Sequence, residues 1–228
     1  MAASPLRVSI AYAMSSVRKS DIITPASSTA ALTSHMIPPE LVLEAYRMGI
    51  FPMALDDGEI GWFSPDPRGI LPLDERFHIR HSLKKTLRKI PFEIRFDTAF
   101  EEVIQSCAHR SETWISSRIA DTYIHLHHQG HAHSVEAWKN EQLVGGLYGL
   151  AIGGAFFGES MFSRVTDASK VALVALVERL RRNGFQLLDT QWSTPHLESF
   201  GGLEIPKPVY TDLLEKALDL PVFFDEQD

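Results

Sequence analysis

Glu159 lies in FFGESMF among large apolar side chains, and Asp189 and Gln191 close a second apolar run, LLDTQ. A carboxylate among apolar neighbours is costly unless something binds it, so such positions are candidates for chemistry or recognition. Alternate side chains of a strand share a face. Ala155, Phe157, Glu159 and Met161 are therefore predicted to point one way, and Leu187, Asp189 and Gln191 to share a face of their own strand. Asp189 and Gln191 would stand roughly 7 Å apart near the carboxyl end of that strand. Each carboxylate alone also has a structural reading: Asp189 capping the turn at Ser193–Thr194, Glu159 paired with Arg164 or Lys170. The chemical reading rests on their joint arrangement. Gly145, Gly146 and Gly149, on the run before Glu159, are expected to leave room for a ligand against the backbone.

A second constellation is basic. Arg76, Arg80, Lys84, Lys85, Arg88, Lys89 and Arg95 face one acid, Glu93, in the same stretch. Arg80, Lys84 and Arg88 fall at i, i+4 and i+8 and line one helical face, which Lys85 and Lys89 broaden. Such a face is either a solvated helix surface or a phosphate-binding footprint, and its one-sidedness in an acidic chain favours the footprint. His125, His127, His128, His131 and His133 crowd another stretch. His127 and His131 have the helical metal spacing, but Gly130 should break the helix between them. No carboxylate or cysteine completes a set, so no metal is expected. No GxxxxGK[ST] motif and no Gly-rich helix start offers a pyrophosphate cradle, so no cofactor is expected and the substrate must arrive already activated. Cys107 reads as a small buried hydrophobe. Trp62 and Trp114 sit in turn-rich contexts and either line a pocket or plug a seam.

The elements that must position these groups follow from periodicity and punctuation. Pro38-Pro39-Glu40 opens a helix that Gly49 ends. The segment from Ile50 to Gly69 reads as a compact turn-strand-turn unit. Helices are predicted over Arg80–Lys89, Thr98–Ala108, Ser117–Gln129, Ala168–Asn183 and Tyr210–Leu218, with a short helical turn after Thr190. Strands are predicted over Phe92–Phe96, Ser134–Lys139, Leu143–Leu150, Ala155–Phe162 and Gln186–Thr190. Three successive strands, a helix and another strand imply an α+β fold with a mixed sheet.

The chain has 228 residues, of which 44% are hydrophobic, enough for a substantial core. No run is long and apolar enough to span a membrane, so no membrane partner is expected. A single cysteine fits a reducing compartment. The net charge of −7 argues against a protein that coats nucleic acid generally, though not against a local basic patch. Three divisions are expected: residues 1–36 as a disordered extension or the result of a start set upstream of Met36, 37–70 as a small N-terminal α+β domain, and 71–228 as the catalytic domain.

FPM at Phe51–Met53, WFSPDPRG at Trp62–Gly69, TWI around Trp114, GHAHSVE at Gly130–Glu136, then LVGGLYG, FFGESMFSR, DASK and LLDTQ occur in that order. Together they closely resemble the leucyl/phenylalanyl-tRNA–protein transferase family, over about Ile37 to Leu218. The resemblance implies a larger domain like the acyl-CoA N-acetyltransferase fold. It implies transfer of Leu from Leu-tRNA or Phe from Phe-tRNA, and of Met from its own charged tRNA, to the N-terminal amine of proteins beginning with Arg or Lys, marking them for N-end-rule degradation. It places Glu159, Asp189 and Gln191 on active-site positions, and Trp114, Met53, Leu147, Phe157, Leu176 and Leu188 on an apolar aminoacyl pocket. Met53 stands where some members carry Trp, and Leu176 where Phe can stand. Arg76, Arg80, Lys84, Lys85, Arg88 and Lys89 would hold the tRNA. A cytoplasmic monomer is expected. The rival readings are an acetyl-CoA-dependent N-acetyltransferase, which needs the missing pyrophosphate loop, and a non-catalytic RNA- or peptide-binding module, which has no use for converging Glu159, Asp189 and Gln191.

Overall fold

The computed structural model describes residues 22–23, 36–89, 91–109 and 113–225. Helix α1 (Pro39–Arg47) starts at a proline and ends against Gly49, whose φ of 72° suits a residue without Cβ. The turn-rich unit that follows is a hairpin of two strands, β2 (Phe51–Ala54) and β3 (Ile60–Phe63), joined across the Asp56–Gly58 turn. A two-residue strand, β1 (Ile22–Ile23), pairs antiparallel with β3 and falls inside the stretch expected to be an extension; its neighbours lie outside the described residues.

The main sheet has seven strands: β4 (Arg68–Leu71), β5 (Glu93–Phe96), β6 (Ala132–Lys139), β7 (Gln142–Ile152), β8 (Ala155–Ser163), β9 (Leu187–Gln191) and β10 (Leu203–Ile205). Their spatial order is β10-β4-β9-β8-β7-β6-β5. All neighbours are antiparallel except β8 and β9, which run parallel because helix α5 (Ala168–Arg182) crosses between them. This is the mixed-sheet α+β architecture the sequence implies, consistent with the acetyltransferase-like fold. β10 was absent from the sequence reading: three residues are too few for periodicity to register.

Two apolar layers cover the sheet. One holds α5 and Leu83 of α2 (His81–Arg88). The other holds α1, α3 (Phe100–Ala108), α4 (Ser117–His128) and α7 (Lys207–Leu218), together with the hairpin and Trp62. Trp62 thus seals the hairpin into the core, and Cys107 is buried on α3. The Gly145, Gly146 and Gly149 expectation is corrected. A Cβ on Gly145 would lie 2.5 Å from the Ala168 Cβ, on Gly146 2.9 Å from the Val135 carbonyl oxygen, and on Gly149 2.3 Å from the Phe157 carbonyl oxygen. Their bareness admits helix α5 and neighbouring strands, not a ligand.

Candidate active site

The site opens where two parallel strands part. The last paired residues of β8 and β9 are Phe157 and Asp189. Beyond them, Gly158, Glu159 and Ser160 on one strand and Thr190, Gln191 and Trp192 on the other line a pocket of about 930 Å³, mouth included. Each strand is irregular at that point. On β8, Tyr148 pairs with Ser160 and Gly149 with Gly158, so Glu159 is an extra residue against β7. On β9, Asp189 pairs with Ile70 and Gln191 with Gly69, so Thr190 is extra against β4. A bulge re-aims its side chains and inverts the alternation beyond it.

That inversion overturns two parity expectations. Phe157 and Met161 do not share a face: Phe157 packs on the α1 side, with its ring 4.9 Å from that of Tyr46, whereas Met161 packs on the α5 side. Phe157 is fully buried and does not line the pocket, a correction to its placement there; Met53, Trp114, Leu147, Leu176 and Leu188 do line it. Asp189 and Gln191 likewise part company. Asp189 turns inward, away from the lining residues, while Gln191 reaches the pocket.

Asp189 is fully buried and saturated. Arg68 grips both its oxygens, Nε to Oδ1 at 3.0 Å and Nη2 to Oδ2 at 2.7 Å, and its Nη1 donates to the Gly49 carbonyl at 2.9 Å. Tyr210 donates to Oδ2 at 2.7 Å. The backbone N–H of Gln191 donates to Oδ1 at 2.8 Å and so ties down a residue with φ of 66°, a left-handed conformation unusual for glutamine. Asp189 therefore neither caps Ser193–Thr194 nor lines the pocket. Burial, the largest single cause, opposes the Arg68 charge, but Asp189 together with Tyr210 and Tyr46 outweighs it and the Arg68 pKa is raised. Arg68 and Tyr210 escaped sequence reasoning; Arg68 lies inside the WFSPDPRG run but offered no partner until β4 met β9.

Glu159 has neither Arg164 nor Lys170 as partner: Arg164 reaches Glu102 and Lys170 pairs with Asp167. Instead Oε1 accepts from Tyr46 Oη at 2.6 Å and from Gln191 Nε2 at 3.0 Å, and Tyr123 Oη hydrogen-bonds Tyr46 Oη in turn. Oε2 makes no hydrogen bond among the described residues. Burial is the largest cause that lifts the Glu159 carboxyl to about 7, with the Asp189 charge adding to it and the Tyr46 and Gln191 hydrogen bonds opposing it. Burial also raises Tyr46 and Tyr123, so both stay protonated donors. A carboxyl that titrates near neutrality, with one free oxygen in a mostly apolar pocket, can take a proton from an amine. The Trp114 carbonyl accepts from the Ala54 N–H at 3.0 Å and so joins the hairpin to the pocket that Trp114 lines.

The basic helix is α2. Arg80, Lys84, Lys85, Arg88 and Lys89 are exposed and make no ion pair with any described residue. Arg76 lies before the helix and is held by Asp74 at 2.7 Å. Arg95 is paired with Glu93 and Glu141. Arg80 and Lys170 both act electrostatically on His196 of the pocket wall, so the cationic surface reaches the site. Among the histidines, a carboxylate distant in sequence does come near: Asp97 bonds His133 Nδ1 at 2.8 Å, and Asp225 brings a third ligand atom within 4.8 Å of the others. That group lies outside the pocket lining, and Asp97 is already used by His133 and the Ser134 N–H.

Known proteins resemble this chain along most of its length. A family model described as leucyl/phenylalanyl-tRNA protein transferase matches residues 70–215, and one for that transferase's N-terminal domain matches residues 36–66. The leucyl/phenylalanyl-tRNA–protein transferase of Herpetosiphon aurantiacus is 58% identical over 188 residues, 82% of this chain and 98% of that protein. The protein of the same name from Akkermansia muciniphila is 57% identical over 187 residues, 80% of this chain and 97% of that one. Among solved structures, the C-terminal domain of a lysylphosphatidylglycerol synthetase from Agrobacterium fabrum aligns at 10% identity and a TM-score of 0.39, over 80% of this chain and 57% of that one, too slight a likeness to carry weight.

Proposed function

The chain belongs to the leucyl/phenylalanyl-tRNA–protein transferase family, an enzyme family of aminoacyl transfer, and on that premise we propose how its pocket performs the reaction. The protein moves Leu or Phe, and Met where supplied, from aminoacyl-tRNA to the N-terminal amine of proteins that begin with Arg or Lys, creating an N-end-rule degradation signal. The observation that carries this reading is Glu159: a carboxyl lifted to about 7, hydrogen-bonded by Gln191, in an otherwise largely apolar pocket.

Met53, Trp114, Leu147, Leu176 and Leu188 take the Leu or Phe side chain. Apolar walls reject polar aminoacyl groups but separate Leu, Phe and Met poorly, because a methylene or two is worth only about 1–3 kcal/mol. The acceptor amine, with an ordinary pKa of about 8, must lose a proton before it attacks. Glu159 takes that proton through its free Oε2, and the Gln191 amide holds the carboxylate in place. The new C–N bond forms as the ester C–O bond breaks. The ribose hydroxyl leaves with the second proton, which the attacking nitrogen sheds as the amide forms, and no external energy source is needed because the ester arrives activated. Asp189 acts through the Gln191 backbone as a positioning residue. The negative charge on Glu159 also suits a cationic first residue on the acceptor. The reading includes action as a monomer in the cytoplasm, where charged tRNA is made.

Incubation with labelled leucyl-tRNA and a peptide beginning with Arg or Lys should place the label on the peptide, whereas acetyl-CoA in place of the tRNA should leave the peptide unmodified. An unlabelled Arg peptide would sink the reading. The tRNA body is held by α2. Charge reversal at Lys84, Lys85 and Arg88 is expected to weaken tRNA binding at least about tenfold and to lower the slope of log K against log salt by about two. An unchanged slope in filter binding would show that the tRNA lies elsewhere.

A further inference from the structure

The histidine-rich stretch has no part in transfer, yet one of its members is built into a cluster of its own. His133 is buried, at 4% exposure, and its Nδ1 meets Asp97 Oδ2 at 2.8 Å. Asp97 follows the edge strand β5, His133 stands on β6, and Asp225 belongs to the C-terminal segment beyond α7. One ligand atom from each of the three lies within 4.8 Å of the other two. The sequence shows no carboxylate that completes a set with these histidines, because both carboxylates arrive through the fold.

Each donor is held by a contact outside the trio. The Ser134 N–H donates to Asp97 Oδ1 at 2.7 Å, which orients the carboxylate and leaves Oδ2 toward His133. The His133 ring is stacked on the Phe224 ring with centroids 4.2 Å apart. Phe224 is buried, and the Asn183 side-chain amide donates to the Phe223 and Phe224 carbonyls at 3.0 and 2.9 Å. The anchoring of Phe224 therefore delivers Asp225 to the other two groups. Two carboxylates brought to one imidazole repel each other unless a cation sits among them. Arg179 supplies little of that charge: it reaches Asp225 Oδ1 only at 4.0 Å, and its guanidinium lies over the Phe96 ring at 3.5 Å. Donors oriented by outer hydrogen bonds and packing are what a metal site requires.

Zinc takes imidazole nitrogen and carboxylate oxygen at about 2.0–2.2 Å in a tetrahedron, so its donors stand about 3.4 Å apart. The closest pair here, at 2.8 Å, and the 4.8 Å bound on the rest bracket that spacing. Movement of the exposed Asp225 side chain closes the difference. Coordination through Nδ1 of a neutral His133 shifts the ring proton to Nε2, and water fills the fourth position.

We propose that Asp97, His133 and Asp225 bind a divalent transition-metal cation, zinc by their donor set, and that the ion fastens the C-terminal segment to the edge of the sheet. None of the three lines the pocket, whose wall includes His196 and Leu197 of the short helix α6 (Pro195–Glu198). Asp225 also lies beyond residues 70–215, which the family model matches. The proposal therefore stands apart from the transferase reading.

The test titrates zinc chloride into the untagged full chain by calorimetry. The unaltered protein should bind zinc saturably at micromolar concentration. Asp225→Asn should weaken that binding about tenfold or more, and His133→Gln should weaken it further. His128→Gln, which alters an exposed histidine outside the trio, should leave it unchanged. If the His133 variant does not fold, Asp225→Asn decides, because that side chain is 74% exposed. A second readout uses chymotrypsin, which cuts after the 58% exposed Phe223. Zinc should slow this cut severalfold in the unaltered protein and not in Asp225→Asn. No saturable binding below about 1 mM, or equal affinity in the unaltered protein and in Asp225→Asn, overturns the site. So does a cut that zinc slows equally in both proteins, or in neither.

Discussion

Arg68→Met is expected to lower the free energy of unfolding at pH 7 by about 3–5 kcal/mol, because it leaves a fully buried carboxylate without its counter-charge. Both partners are almost wholly excluded from solvent, at 1% and 0% side-chain exposure, so water cannot replace the guanidinium. Arg68 also closes a circuit: its Nη1 holds the Gly49 carbonyl, and its ring contacts place it 4.9 Å from Phe51 and 4.6 Å from Tyr210. The loss therefore loosens α1, β4, β9 and α7 together. Adding Asp189→Asn should restore a large part of the stability, since a neutral amide no longer needs the cation. Tyr210→Phe, which removes one hydrogen bond to a charge, should cost about 1.5–3 kcal/mol. Urea unfolding of Arg68→Met, Asp189→Asn and the variant that carries both measures the coupling directly. An Arg68→Met protein within about 1 kcal/mol of the parent would contradict the role given to the pair. Transfer should fall in all of these variants: Asp189→Asn removes the carboxylate that fixes the left-handed backbone of Gln191, and Arg68→Met and Tyr210→Phe each remove a group that holds that carboxylate in place.

Glu159→Gln should move activity and stability in opposite directions. Losing the proton acceptor is expected to lower kcat about 10²- to 10⁴-fold. Stability should rise, and more so at higher pH. The carboxyl titrates at about 7 in the folded chain against a reference value of 4.5. Between those values the folded state keeps a proton that the unfolded state has shed, so the parent protein loses stability as pH rises through that window. Glutamine does not titrate. Its advantage is small at pH 5 and grows to about 1–3 kcal/mol at pH 8, scaled from the size of the shift and discounted for residual solvent access. Melting curves at the two pH values check the sign. A variant less stable than the parent at pH 8 would mean that Glu159 holds the fold together and is not a strained functional group.

Most of the scaffold was legible in the residues. Pro39 and Gly49 bracket α1, Gly130 and Gly184 end α4 and α5, and the apolar runs around Val144 and Phe156 became the central strands. Glu159 drew attention from the residues alone, because a carboxylate in an apolar run signals itself, whereas the apolar lining came only from the family resemblance. Side-chain direction was not. Period-two alternation holds only while a ladder is regular, and the extra residues Glu159 and Thr190 break it where β8 and β9 separate. Phe157 and Asp189 therefore went to the core and not to the pocket. The bare glycines of β7 face the same limit: a sequence shows that space is left, not whether a helix or a ligand fills it. Tyr46, Tyr123, Arg68 and Tyr210 sit on ordinary helix or strand positions, and only long-range packing gives them partners.

The most direct test of Glu159 as proton acceptor is the pH dependence of single-turnover leucine transfer to an Arg-initiated peptide with leucyl-tRNA saturating. The unaltered protein should show a rate that climbs with pH through an inflection at about 7 from Glu159, followed by a further rise at about 8 as the acceptor amine deprotonates. Glu159→Gln should be slower by two orders of magnitude or more and keep only the upper inflection. A Glu159→Gln protein that transfers at the parental rate, or that still shows the inflection near 7, would contradict the account.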